Sequence, residues 1–101
     1  MEECCKGSER HKHRNVTEQK DLMTRLNRIE GQIRGLKAML EDDRYCVDIL
    51  TQVSAVQAAL NSFSRVLLSN HIKTCVVDQI EAGNAEEAVE ELCKTIQKMM
   101  K

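Results

Sequence analysis

Two thiols and an imidazole, Cys46, His71 and Cys75, are the side chains whose types and spacing could do chemistry in this sequence, and the chemistry they suit is metal binding. They open and close the stretch 45–76, YCVDILTQVSAVQAALNSFSRVLLSNHIKTCV, which contains no Pro and no Gly. Its apolar residues Leu50, Val53, Val56, Leu60, Phe63 and Leu67 step by three and four, the period of an amphipathic helix. On one helix at about 100° per residue, Cys46, His71 and Cys75 fall within roughly 40° of one another on the apolar side. His71 and Cys75, at i and i+4, are neighbours on that face. Cys46 precedes His71 by 25 residues. At about 1.5 Å per residue that is roughly 38 Å, so Cys46 cannot join the other two in the same straight helix. A second copy can supply it. Two copies crossing antiparallel, with the two-fold axis near residues 58 to 60, set Cys46 of one opposite His71 and Cys75 of the other. Ala58 and Ala59 are small enough there for close approach. The spacing therefore predicts a symmetric dimer with two identical sites.

The donor types narrow the ion. Soft sulfur ligands at low coordination number suit Cu(I), whereas structural zinc takes four ligands and cobalt or nickel takes more nitrogen and oxygen. A competing reading needs no metal: buried free Cys is commonly a small hydrophobe, and a His near a helix end is often only capped or solvated. Spacing alone leaves both open.

The elements that must position these residues are helices. The chain has 101 residues, enough for one domain but not for a large core, so oligomerisation would help it. Aromatic content is 2%, with Tyr45 and Phe63 the sole examples, which points to an aliphatic core and to helix packing over a sheet. No apolar run of membrane length and no leader-like segment behind the basic start is seen, so the expected location is cytoplasmic. In that reducing setting five cysteines, an odd number, read as ligands or reactive thiols before disulfides.

Net charge is only −1, but its distribution is uneven. Residues 6 to 37 hold nine Lys or Arg against four acids, and residues 78 to 91 hold six acids and no base. A basic first half lets one surface meet an anionic partner.

Residues 1 to 15 are polar and lack periodicity, a flexible arm whose Cys4, Cys5, His11 and His13 could bind metal weakly or hand it over. A disordered basic arm with adjacent thiols is the simpler reading of the same residues. The domain proper spans residues 16 to 101. Asn15 or Thr17 can cap a first helix, with Glu18 as capping-box partner of Asn15. Its Leu22, Leu26, Ile29, Ile33, Leu36 and Leu40 step 4, 3, 4, 3, 4, a heptad seam that predicts packing against another long helix. Arg25, Arg28 and Gln32 flank the seam, where they could reach phosphate oxygens; the alternative is a solvated charged face. Gly31 and Gly35 each cost about 1 kcal/mol in a helix interior, which predicts a compensating close approach. Glu41-Asp42-Asp43 ends the seam, and the Asp side chains can cap the next helix, placing Tyr45 and Cys46 in its first turn. That helix is expected to run to Glu81, stopped by Ala82-Gly83-Asn84. Asn84 and Glu87 then form an N-x-x-E start for a short third helix with Ala88, Val89, Leu92, Ile96 and Met99 on one face, and Cys93 packing beside it. No repeat, phosphate loop or nucleophile–base pair appears, so an enzyme is not expected.

At RIEGQIRG (28 to 35), DRYCVDILTQVSAVQAAL (43 to 60) and NHIKTC (70 to 75), the sequence resembles the copper-sensing CsoR family of bacterial transcriptional repressors. The likeness covers residues 20 to about 95. It implies an all-α fold of three helices per chain, lacking a helix-turn-helix, in an antiparallel dimer with a four-helix bundle core that pairs into a dimer of dimers, a homotetramer. It implies a metal-free form that binds operator DNA and releases it on binding Cu(I), derepressing copper-resistance genes. Cys46 of one subunit with His71 and Cys75 of the other would form a trigonal Cu(I) site. Tyr45 and Glu91 would couple His71 to the rest of the fold, and Arg25 matches a DNA-binding basic position on the first helix. Ser62 stands where some relatives carry Arg or Lys around the second helix, so the resemblance supports Arg25 and Arg65 as DNA-contacting residues, and Arg28 joins that expected set from its place on the flank of the seam.

Few positions decide the inducer in the wider family. Nickel or cobalt sensors place His where this chain has Cys75 and add an amino-terminal His, near Arg14 and His13 here. Formaldehyde sensors lack Cys75, and sulfide or persulfide sensors keep both cysteines and lose the His. His71 therefore favours copper. Two other functions are compatible with these residues: a persulfide-responsive repressor using Cys46 and Cys75, and a cytosolic copper buffer without a DNA role.

Overall fold

A computed structural model describes residues 14–100, so the amino-terminal arm with Cys4, Cys5, His11 and His13 lies outside the described residues. The described chain is all-helical: α1 (Val16–Glu41), α2 (Cys46–His71), a π-helical turn (Ile72–Val76), α3 (Val77–Glu81) and α4 (Ala85–Met99). From Cys46 to Glu81 the backbone is helical without a break. The expected three-helix arrangement holds, the second helix being α2, the π-turn and α3 in succession.

Two compact units are formed, Arg14–Leu67 and a second beginning at Leu68. In the first, α1 and α2 make an antiparallel hairpin joined by only four residues, 42 to 45. Asn15, not Thr17, caps α1: its side-chain oxygen accepts the Glu18 N–H at 2.7 Å. The heptad seam divides. Leu22 and Ile29 are buried and Leu36 half-buried, so the first set, spaced by seven, faces inward. Leu26, Ile33 and Leu40, the alternate set, are 38, 42 and 68% exposed on the single chain. On α2 only Val56 is buried, Val53, Phe63 and Leu67 are half-buried, and Leu50 and Leu60 are exposed. Each buried Leu or Ile contributes about 1.5–3 kcal/mol, so this hairpin has a thin core.

The Asp residues after α1 act differently from expectation. Asp43 adopts a left-handed φ of 53°, its N–H bonds to the Leu40 carbonyl at 3.2 Å, and the Arg44 N–H reaches back to Met39 at 3.0 Å. This is a Schellman ending, so the pair closes α1 instead of opening α2. Tyr45 precedes α2; its carbonyl accepts from Asp48 (3.0 Å) and Ile49 (3.2 Å), leaving Cys46 as the first helical residue.

In the second unit the π-turn, α3 and α4 pack on one another around Cys75, Val76 and Ala88. The expected stop is present: Gly83 has φ 92°, its N–H meets Ile80 at 3.1 Å and the Asn84 N–H meets Gln79 at 2.9 Å. The expected capping box is not. Asn84 makes no side-chain cap bond to α4; only its carbonyl joins the helix, accepting from Ala88 at 3.0 Å. Its backbone, at φ −107° and ψ 37°, lies away from the extended conformation that aims a cap side chain at the next amides. On α4, Ala88 is buried and Leu92 and Ile96 half-buried, while Cys93 is exposed, not packed as expected.

Candidate metal centre and nucleic-acid interface

His71 ends α2 and Cys75 lies inside the π-turn. The local sequence weakens a regular α-helix here without dictating the π-turn. Ile72, Thr74, Val76 and Val77 crowd β-branched side chains into six positions, and the Thr74 hydroxyl donates to the Asn70 carbonyl at 2.8 Å, competing for a helix acceptor. Insertion of one extra residue per turn changes which side chains share a face. In a continuous α-helix Val76 would lie about 140° round from His71; the π-turn reduces this to about 40°. Val76 is accordingly 6% exposed; Cys75 is 1% exposed and His71 half-buried. A π-turn is rare and recurs at functional sites. The 3.6-residue periodicity could not reveal it; the β-branched cluster was the only signal.

Cys46, exposed at the start of α2, belongs to the other compact unit. Among the described residues, no three His, Cys, Asp or Glu side chains gather into a metal site within one chain. The donors themselves fit Cu(I), being two thiols and one imidazole, with Cys75 withdrawn from water. Tyr45, beside Cys46, is 71% exposed. Glu91, on α4, lines a groove with Gln79, Glu87, Lys94 and Thr95.

Arg25, Arg28 and Arg65 lie close along the hairpin to one link between its helices. The Arg25 Nη1 donates to Ser62 Oγ at 3.2 Å, tying α1 to α2. Arg28 and Arg65 are exposed. Each lies three residues, about 4.5 Å, along its helix from that link, and in opposite directions because the helices are antiparallel. Gln32 does not extend this set as expected: it is half-buried and its Oε1 is a buried, unbonded atom. Gly31 and Gly35 are exposed, and a Cβ on either would meet nothing within 4 Å, so the close approach expected of them is not made within the chain.

An all-helical chain that sets thiols and an imidazole along one helix and arginines near one link of a hairpin has the features of a metal-responsive DNA-binding protein. Comparison with known proteins gives the class: residues 18–98 match the family model of metal-sensitive transcriptional repressors, and the chain belongs to that family. It is 47% identical over 89 residues to the copper-sensing transcriptional repressor CsoR of Bacillus subtilis, covering 88% of each chain. It is 48% identical over 68 residues to the copper-sensing repressor RicR of Mycobacterium tuberculosis, covering 66% of this chain and 71% of that one. Among solved structures it is similar to the copper-sensing repressor CsoR with Cu(I) from Geobacillus thermodenitrificans, with a TM-score of 0.84, 44% identity and coverage of 89% of this chain and 94% of that chain. The nickel-responsive regulator InrS is similar at a TM-score of 0.70 and 35% identity, over 87% of this chain and 96% of that one.

Proposed function

We propose that this chain is a Cu(I)-responsive transcriptional repressor, which binds operator DNA when metal-free and releases it on binding Cu(I). The observation that carries this reading is the donor set: a buried Cys75 and a half-buried His71 at the π-turn, with an exposed Cys46 heading α2. A nickel-responsive relative shares the fold, so the fold does not choose the metal. Two sulfurs beside a single nitrogen favour copper.

Cys46 of one subunit and His71 and Cys75 of its partner would hold the ion. Cu(I) would supply a soft centre for two thiolates and one imidazole. His71 presents one ring nitrogen to the site, and its other N–H is held by Glu91 or Tyr45, which fixes the ring and ties the site to α4 or to the start of α2. Arg25, Arg28 and Arg65 meet DNA phosphates, and a change in their spacing between subunits weakens that contact. DNA must weaken copper binding by the same factor that copper weakens DNA binding.

Assembly as an antiparallel dimer, and of dimers into a tetramer, is supported by Leu26, Ile33, Leu40, Leu50 and Leu60, which the single chain leaves exposed along both helices. The protein works in the cytoplasm, where operator DNA is found; among the described residues no helix is long and apolar enough to cross a membrane.

The test is anaerobic fluorescence anisotropy of labelled DNA from upstream of this gene, titrated with Cu(I) in the presence of protein. Release complete near one copper per chain supports the proposal. DNA binding that copper leaves unchanged points instead to a persulfide-responsive repressor, and no DNA binding to a copper buffer.

A further inference from the structure

We propose that Ser62 is a positioning residue for DNA binding: its hydroxyl on α2 holds the Arg25 guanidinium of α1 in the orientation that meets a phosphate. This rests on the DNA-binding reading above.

Arg25 is the most constrained of the three arginines. Its side chain is 36% exposed, its Nη1 donates to Ser62 Oγ at 3.2 Å and its Nε lies 3.4 Å from Asp21 Oδ2. Nη2 takes part in neither contact. Arginine binds phosphate through a planar fork of donors, so the orientation of that plane matters as much as the charge. An arginine already held in place gives up less rotamer freedom when it binds than one that must be ordered from solvent. Ser62 suits this task by size. Its short side chain keeps the oxygen close to α2, so the bond draws the guanidinium of α1 towards α2. The hydroxyl accepts from the guanidinium and retains its own proton, so it places the cation without neutralising it. Asp21 does the opposite: its carboxylate, 54% exposed, competes with phosphate for the same group.

The test is a double-mutant cycle on labelled DNA from the protein's own promoter region, comparing wild type, Ser62→Ala, Arg25→Gln and the double variant across a salt series. Ordering one long side chain costs about two- to tenfold in affinity, so Ser62→Ala should weaken binding by about that factor per engaged Arg25. In the Arg25→Gln background the same substitution should change nothing, because the group it positions is gone. Ser62→Thr, which keeps the hydroxyl, should bind as wild type, and Asp21→Asn should bind more tightly. An equal loss in both Arg25 backgrounds, or no loss in either, would overturn the role of Ser62 while leaving DNA binding intact. Failure of the wild-type protein to bind the duplex at any salt would remove the DNA reading itself and this inference with it.

Discussion

Asp43 and Gly83 occupy the same place at the ends of two helices. Each is the left-handed residue of a Schellman ending, at φ 53° and 92°, with the following amide bonded back across the last turn. Gly bears this conformation without steric cost; a residue with a Cβ does not. Asp43→Gly is therefore expected to stabilise the protein by about 0.5–1 kcal/mol, and Gly83→Ala to destabilise it by about 1 kcal/mol or more. Urea unfolding midpoints of the two variants, moving in opposite directions, check this.

Gly31 and Gly35 lie inside α1 with open space where a Cβ would stand. Alanine at either position should raise stability by about 0.5–1 kcal/mol through helix propensity alone. Denaturant unfolding of each variant is the measurement. A fall in stability instead would show that the assembled protein brings another surface against these glycines, the close approach that their place in a helix interior predicts.

The three candidate ligands differ in burial, and their variants should differ accordingly. Cys46→Ser alters an exposed side chain and should change stability by no more than about 0.5 kcal/mol. Cys75→Ser puts a hydroxyl into a site 1% exposed and should cost about 1–3 kcal/mol. Both should abolish tight Cu(I) binding, measured by competition with a colorimetric Cu(I) chelator. Loss of copper binding by Cys46→Ser at unchanged stability is the informative result, because an inert surface thiol would give none.

Thiol labelling separates the cysteines further. In the metal-free protein Cys46 and Cys93 should react with iodoacetamide well before Cys75. Addition of Cu(I) should then protect Cys46 and leave Cys93 reactive, which peptide mass spectrometry can read. Equal protection of Cys93 would contradict the ligand assignment.

Arg28→Gln and Arg65→Gln should each weaken DNA binding without affecting the fold, since both side chains are exposed. For each phosphate that the variant no longer neutralises, the slope of log affinity against log salt should fall in magnitude by about 0.9. A weaker affinity at unchanged slope would place these residues away from the phosphates.

The sequence by itself determined the helices, their lengths and the identity of the chemical groups. Period three-and-four spacing is a local property, so α1, the long path through Cys46 to Glu81 and the terminal helix were legible, as were the cap at Asn15 and the stop at Gly83. Which residues are buried was legible only in part. Leu22 and Leu26 carry the same hydrophobic signal, yet one is 6% and the other 38% exposed, because a seam two residues wide can be divided between two neighbours. Tertiary structure alone decided what depends on competition among backbone acceptors and on contacts distant in sequence. The π-turn that brings Val76 inward, the use of Asp43 to end one helix instead of starting the next, and the bond from Arg25 to Ser62, 37 residues away, are all of this kind. Each follows from where a hydrogen bond finds its partner in space, which residue spacing along the chain does not specify.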